Sequence, residues 1–256
     1  MNRRHLLALP SLALLPITPA RAELDAQALL QASDAIRTPR ESFRLTSTLH
    51  EYRQGVLQST LQLTVFVRPD RQGRHGNLVR FDQPARDANK LMLFQGADLW
   101  FYDPVARVSF RLSPQQRLLG QAANGDVAMA SLAQDYSAQL EGVESVMDGD
   151  RVAQTAHRLR LTARHAQTTY AAIDFWQASD DARPLKARFY SDSGQLMKSA
   201  FYRRNLPWLG RVRPTELVII DGLNPQWVTL MRYSDFVAQD VPEAWMQRDF
   251  LPRFRQ

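Results

Sequence analysis

Leu57-Gln58-Ser59-Thr60-Leu61-Gln62-Leu63-Thr64-Val65-Phe66-Val67 is the stretch that decides the fold. Leu57, Leu61, Leu63, Val65 and Val67 alternate with Gln58, Thr60, Gln62 and Thr64. Successive side chains of an extended chain point to opposite faces, so this period of two predicts a strand with one dry face and one wet face. Just upstream, Phe43, Leu45 and Leu49 alternate with Arg44, Thr46 and His50, and Gln54-Gly55 separates the two runs. A turn-forming pair between two alternating segments predicts a β-hairpin.

The same grammar continues downstream. Leu78–Phe81 reads as a strand, followed by Lys90–Phe94, Leu99–Tyr102 and Val108–Leu112, with Gln95-Gly96 and Asp103-Pro104 as turns. Leu91–Phe94 and Leu99–Tyr102 are apolar at every position, which predicts strands covered on both faces. Seven more strands are expected at Ala138–Val146, His157–Ala163, Tyr170–Trp176, Leu185–Tyr190, Leu196–Tyr202, Thr215–Asp221 and Trp227–Tyr233. Asp148-Gly149-Asp150 and Asp192-Ser193-Gly194 have the chemistry of hairpin turns.

Helices are few. Leu24, Ala28, Leu29, Ala32 and Ile36 fall at helical spacing before Pro39. Ser113 to Gln134 is rich in Ala, Gln and Leu and predicts one or two short helices broken around Gly120 and Gly125, a candidate hinge. Val241-Pro242-Glu243 starts a last helix running to Phe250. The fold class is therefore mainly β (α+β), with roughly a dozen antiparallel strands and no linker or repeat. Such a sheet covers its apolar face by curling around its few helices, which creates a concave apolar cavity.

Residues 1–22 have a different character. Asn2-Arg3-Arg4-His5 is a basic head, Leu6 to Ile17 is apolar with Pro10 and Pro16, and Ala20-Arg21-Ala22 is a small-x-small exit. This order predicts a cleaved signal peptide and a single exported domain at 23–256. The apolar run is too short to stay in a bilayer, which takes roughly 20 residues. The Arg3-Arg4 pair fits an ordinary export signal and also resembles a twin-arginine one. The chain has no cysteine, which excludes a lipid anchor at the cleavage point, disulfides and thiolate chemistry. Taking Arg3, Arg4 and Arg21 from the 32 basic residues leaves 29 against 26 acidic ones, a charge of only +3. Nucleic acid is not an expected partner. Arg203, Arg204, Arg211 and Arg213, with Arg248, Arg253 and Arg255, form the nearest approach to a basic patch.

Catalytic chemistry is hard to find. His50, His75, His157 and His165 are not spaced as metal ligands, and there is no HExxH, G-x-S-x-G, P-loop or G-x-G-x-x-G motif. Asp148/Asp150, Asp180/Asp181 and Asp235/Asp240 sit in turn-like contexts. The expectation is a protein that is not an enzyme and carries no cofactor or metal.

Three stretches carry a family resemblance. Leu78-Val79-Arg80-Phe81-Asp82-Gln83-Pro84-Ala85 matches a "V-R-F-x-x-P" pattern. Leu99-Trp100-Phe101-Tyr102-Asp103-Pro104, Arg107 and Arg111-Leu112-Ser113-Pro114 resemble the next hairpin, and Val241-Pro242-Glu243-Ala244-Trp245 with Arg248-Asp249-Phe250-Leu251 looks like a closing "V-P-x-x-x-F-x-x-R-x-L", which it shares at Val241, Pro242 and Leu251. In this order they resemble the LolA-like outer-membrane lipoprotein-sorting proteins, in the branch of larger uncharacterised periplasmic members. The resemblance implies an incomplete, curved antiparallel β-barrel, a half-barrel plugged by helices, and a soluble periplasmic carrier of lipoprotein acyl chains or other lipids. Its partners would be an inner-membrane exporter or an outer-membrane acceptor. Gly125-Asp126-Val127-Ala128-Met129-Ala130-Ser131-Leu132 departs from the acidic, aromatic plug of such relatives and predicts a more apolar, looser one.

Leu61, Leu63, Val65, Val79, Phe81, Leu93, Trp100 and Tyr102 are the expected cavity wall, with Met129 and Leu132 on the plug. Apolar burial alone, near 25 cal/mol per Å², would hold such a ligand. The alternative expectation is a non-shuttling periplasmic sensor or accessory module of a membrane exporter, built on the same half-barrel.

Overall fold

Alternation becomes register in the computed structural model, which describes residues 24–96 and 98–255. Its strands are β1 (Phe43–Arg53), β2 (Val56–Pro69), β3 (His75–Gln83), β4 (Leu91–Gln95), β5 (Asp98–Asp103), β6 (Val108–Leu112), β7 (Arg117–Leu119), β8 (Ala122–Ala123), β9 (Tyr136–Met147), β10 (Ala153–Ala163), β11 (Ala172–Ala178), β12 (Pro184–Tyr190), β13 (Leu196–Trp208), β14 (Arg211–Asp221) and β15 (Trp227–Ala238). Thirteen of them make one antiparallel sheet in the order β6-β5-β4-β3-β2-β1-β15-β14-β13-β12-β11-β10-β9. Every step is a hairpin between sequence neighbours except β1–β15, where the two halves of the chain meet. The ends, β6 and β9, are not paired with each other among the described residues, so the sheet is open rather than a closed barrel. The predicted signal peptide lies outside the described residues.

The sheet curls because one face is large and apolar. Leu45, Leu49, Leu63, Val65, Val79, Met92, Leu159, Ile173, Phe175 and Ala200 are all fully buried in a single cluster on that concave face. Helix α1 (Ala26–Arg37) lies across it and buries Leu30. Asp25 caps the helix by accepting from the Gln27 N–H at 2.9 Å, and Arg213 donates to the Ala35 carbonyl at 2.9 Å at the other end. These contacts satisfy backbone groups that a helix end leaves open.

The segment after β6 departs from its predicted short helices. It folds as the small hairpin β7–β8, a 3-10 turn at Asn124–Val127 and one helical turn, α2 (Leu132–Asp135). Its Ala, Gln and Leu content suits a helix, but Gly120 adopts φ +55 and Ala122 and Ala123 pair as a strand on the sheet's interior. The chain closes with two 3-10 turns, Glu243–Met246 and Arg248–Arg253, in place of the expected helix. They lie on the convex side, where Val241, Leu251 and Phe254 cover Phe66, Leu78, Leu91 and Leu93. This second layer explains why β4 and β5 are apolar at successive positions.

Candidate functional site

The concave face and the segment that fills it form the candidate site. Leu61, Leu63, Val65, Val79, Phe81 and Met129 join one buried cluster, and Leu132 packs against it. The structure places the other three expected wall residues elsewhere. Leu93, Trp100 and Tyr102 belong to the convex cluster under the C-terminal turns. Pairing carries the correction: Val79 faces Met92, which faces Phe101, so Met92 and Phe101 point inward and their neighbours outward. The consecutive apolar runs hid this phase from the sequence.

Ala122, Val127 and Met129 fill the concavity from above, so that the chain itself occupies the apolar space. What holds them there is polar. The Met129 N–H donates to Asn77 Oδ1 at 2.9 Å, at the β3 end. Asp34 on α1 accepts from Ser131 Oγ at 2.8 Å and from the Ala133 N–H at 2.7 Å. Gln27 donates to the Ala133 carbonyl at 2.8 Å and accepts from the Ala138 N–H at 3.0 Å. The Gln121 N–H donates to Thr229 Oγ1 at 2.8 Å on β15.

The innermost latch lies between the plug and β13. Lys198, only 3% exposed, makes a salt bridge with Asp126 and donates to the Gln121 carbonyl at 3.0 Å. Asp126 also accepts from the Tyr170 hydroxyl at 2.8 Å and from the Ala123 N–H at 2.7 Å. The Lys198 ammonium lies 4.8 Å from the Tyr170 ring centre and 5.2 Å from that of Phe189. Burial pushes the Lys198 ammonium below the usual lysine value, while the Asp126 carboxylate pulls the other way. Burial, reinforced by Asp126, pushes the Tyr170 phenol well above its ordinary value. The expected looser plug is therefore a seated one. Sequence reasoning missed this latch because its partners lie 72 residues apart on different elements; a lysine in phase with inward-facing Ala200 was the available signal.

Close packing also constrains the two glycines of the expected hinge. A Cβ on Gly125 would stand 2.0 Å from Thr169 Oγ1, and one on Gly120 would stand 2.3 Å from Thr229 Oγ1. A cleft of about 490 Å³ opens beside the latch, lined by Gln115, His165, Thr168, Tyr170, Tyr190 and Met197 among others. Among the described residues no group of three or more His, Cys, Asp or Glu could hold a metal ion. His50 contacts Thr60 at 3.0 Å and His75 contacts the Pro39 carbonyl at 3.0 Å, both in structural roles.

An open antiparallel sheet folded around an apolar concavity, with a plug seated in it, defines a class of plugged half-barrels. A LolA superfamily protein from Nitrosomonas europaea matches with 32% identity over 89% of this chain and 100% of that one, at a TM-score of 0.79. The chain belongs to the LolA superfamily. A domain from Vibrio parahaemolyticus, described as that of an outer membrane lipoprotein-sorting protein, shares the fold at 18% identity and a TM-score of 0.73, over 89% of this chain and 98% of that one. A DUF1329 family protein from Desulfovibrio piger does so at 20% identity and a TM-score of 0.73, over 88% and 97%. A family model described as "Uncharacterized protein" matches residues 73–253. No curated protein sequence matches the chain. Among the described residues no helix is long and apolar enough to cross a membrane.

Proposed function

We propose that this protein is a periplasmic carrier that takes acyl chains of lipoproteins or other lipids onto its concave face and delivers them toward the outer membrane. The observation that carries the reading is the division of labour in the plug. Its apolar residues fill the concavity, yet its fixed points are a handful of polar contacts at Asn77, Asp34, Thr229 and Lys198. Swinging such a segment outward exposes Leu63, Val65, Val79 and Phe81 as one apolar wall. An acyl chain then replaces Val127 and Met129, so little apolar burial is lost in the exchange. Transfer in this scheme needs movement and apolar contact, with no covalent step. Superfamily membership, and the lipoprotein-sorting description of a fold relative, support the same direction.

Native mass spectrometry of gently purified protein, followed by solvent extraction, tests the proposal. A stoichiometric bound lipid is expected. Protein that is empty and also refuses added fatty acid and phospholipid would overturn it. That outcome would favour the second reading, a sensor or accessory module of a membrane exporter, for which the filled concave face, with Leu45, Leu63 and Val65 fully buried, is the supporting observation.

A further inference from the structure

The basic cluster suggested by Arg203, Arg204, Arg211 and Arg213 is dispersed in the fold. Arg213 caps α1, and Arg203 and Arg204 pair with Glu216. A different cationic surface, invisible in the linear order, is assembled across strands on the convex face. Leu159, Leu161, Ile173, Phe175, Ala187, Phe189 and Ala200 face the concave core, so the residues between them face outward. Register aligns these into two rows. One runs Arg158, Trp176, Lys186, Phe201, and the next runs Arg160, Asp174, Arg188, Ser199. At about 4.8 Å between strands, each row covers about 14 Å.

The charges in these rows do not cancel. Asp174 is engaged by Arg160 at 2.8 Å, by Arg158 at 3.4 Å and by the Tyr190 hydroxyl at 2.8 Å. Burial and the neighbouring Arg188 hold the Lys186 ammonium below the usual lysine value against the pull of Glu144, and Glu144 itself accepts from the indole N–H of Trp176 at 2.5 Å. Lys186 and Arg188 have neither a hydrogen bond nor an ion pair among the described residues. Both instead lie over the ring of Trp176, at 5.1 and 5.7 Å, with Arg158 at 5.5 Å over the same ring. Three cations thus share one indole, and two of them are half-buried with no carboxylate in ion-pair contact among the described residues. Next to this lattice, Arg203, Arg204 and Arg232 surround the buried carboxylate of Glu216, and Arg203 also pairs with Asp150 at 3.5 Å, which leaves one positive charge in excess there.

We infer that the Arg158–Trp176–Lys186–Phe201 and Arg160–Asp174–Arg188–Ser199 lattice is a docking face for the phosphate headgroups of an anionic phospholipid bilayer. A plane of headgroups can meet cations laid out over several strands at once, whereas one free anion can meet only the group around Trp176. Trp176 itself is buried and serves to gather the cations, while the partly exposed Tyr190 and Phe201 rings beside them add the aromatic chemistry that favours a membrane–water interface. The face lies opposite the concave site, so this inference stands or falls independently of the carrier reading.

Flotation with phosphatidylcholine vesicles, with and without phosphatidylglycerol, tests it at low and high salt. The unaltered protein is expected to float only with phosphatidylglycerol and only at low salt. Replacing the two unpaired cations, as Lys186→Gln with Arg188→Gln, should lower partitioning roughly thirtyfold. The charge-keeping pair Lys186→Arg with Arg188→Lys should retain it, which separates charge from folding. Arg71→Gln with Arg86→Gln, exposed and outside the lattice, should also retain it. Equal binding by the Lys186/Arg188 glutamine variant, or equal loss in the Arg71/Arg86 control, would overturn the inference. Abolition of flotation by a low concentration of inorganic phosphate at constant ionic strength would overturn it too, by assigning the site to a free anion.

Discussion

Lys198 and Asp126 meet in the interior with almost no water near them, and such a pair punishes loss of one partner more than loss of both. Lys198→Met leaves the Asp126 carboxylate buried beside Tyr170, and urea unfolding should register a cost of about 3–5 kcal/mol. Adding Asp126→Asn should recover much of it, whereas additive losses would mean that the pair is not coupled. Asp174 on the convex face gives a second test, through pH. Burial opposes its ionisation, but the hydrogen bonds from Arg160 and Tyr190 and the charge of Arg158 outweigh burial and hold its carboxyl below the ordinary value. A depressed folded value makes the charged form stabilising above the unfolded pKa of about 3.9, and that stability is lost as pH falls through the folded value. Asp174→Asn should therefore destabilise the protein at neutral pH, and the gap to the unaltered protein should shrink as the medium becomes strongly acid. A gap independent of pH would assign the effect to packing. Leu63 and Phe81 are poor sites for such tests: Leu63 is fully buried in the main core, so a charge there would cost the fold before it reported on any ligand.

At the level of elements, strands were legible and the plug was not. The alternation of Leu61, Leu63, Val65 and Val67 predicts β2 with its face assignment, because a half-buried strand writes its environment into every second residue. Around Leu91–Phe94 and Leu99–Tyr102 that signal vanishes, since both faces are dry; the strands are legible but their phase is not, and Leu93, Trp100 and Tyr102 lie on the convex side instead of the expected concave one. The plug has no period at all. Its conformation is dictated by contacts with Thr169, Thr229 and Lys198, which are distant in sequence. Those contacts make a prediction of their own. Gly125→Ala forces a Cβ into Thr169, and overpacking of this kind costs about 1–3 kcal/mol. Hydrogen exchange should show the loss localised to Arg117–Asp135, with amides of β1, β2, β13 and β14 unchanged. Uniform acceleration across the sheet would show that the plug does not open as a separate unit.

For the whole molecule, the proposed function and the inferred docking face would give the two faces of one sheet two tasks, apolar cargo inside and an anionic surface outside. The curled sheet was foreseeable from strand number and composition, whereas the convex lattice was not, because Arg158, Trp176 and Lys186 are neighbours only after three strands pair. In the proposed carrier, the plug must leave the concave face before an acyl chain can enter. With no native cysteine in the way, the plug can be stapled at the Met129–Asn77 contact by Met129→Cys with Asn77→Cys. The measurement is uptake of a fluorescent fatty acid by this variant, oxidised and then reduced. Saturable uptake in the reduced protein that disappears on oxidation and returns with reductant is the predicted result. Equal uptake in both states would contradict the account.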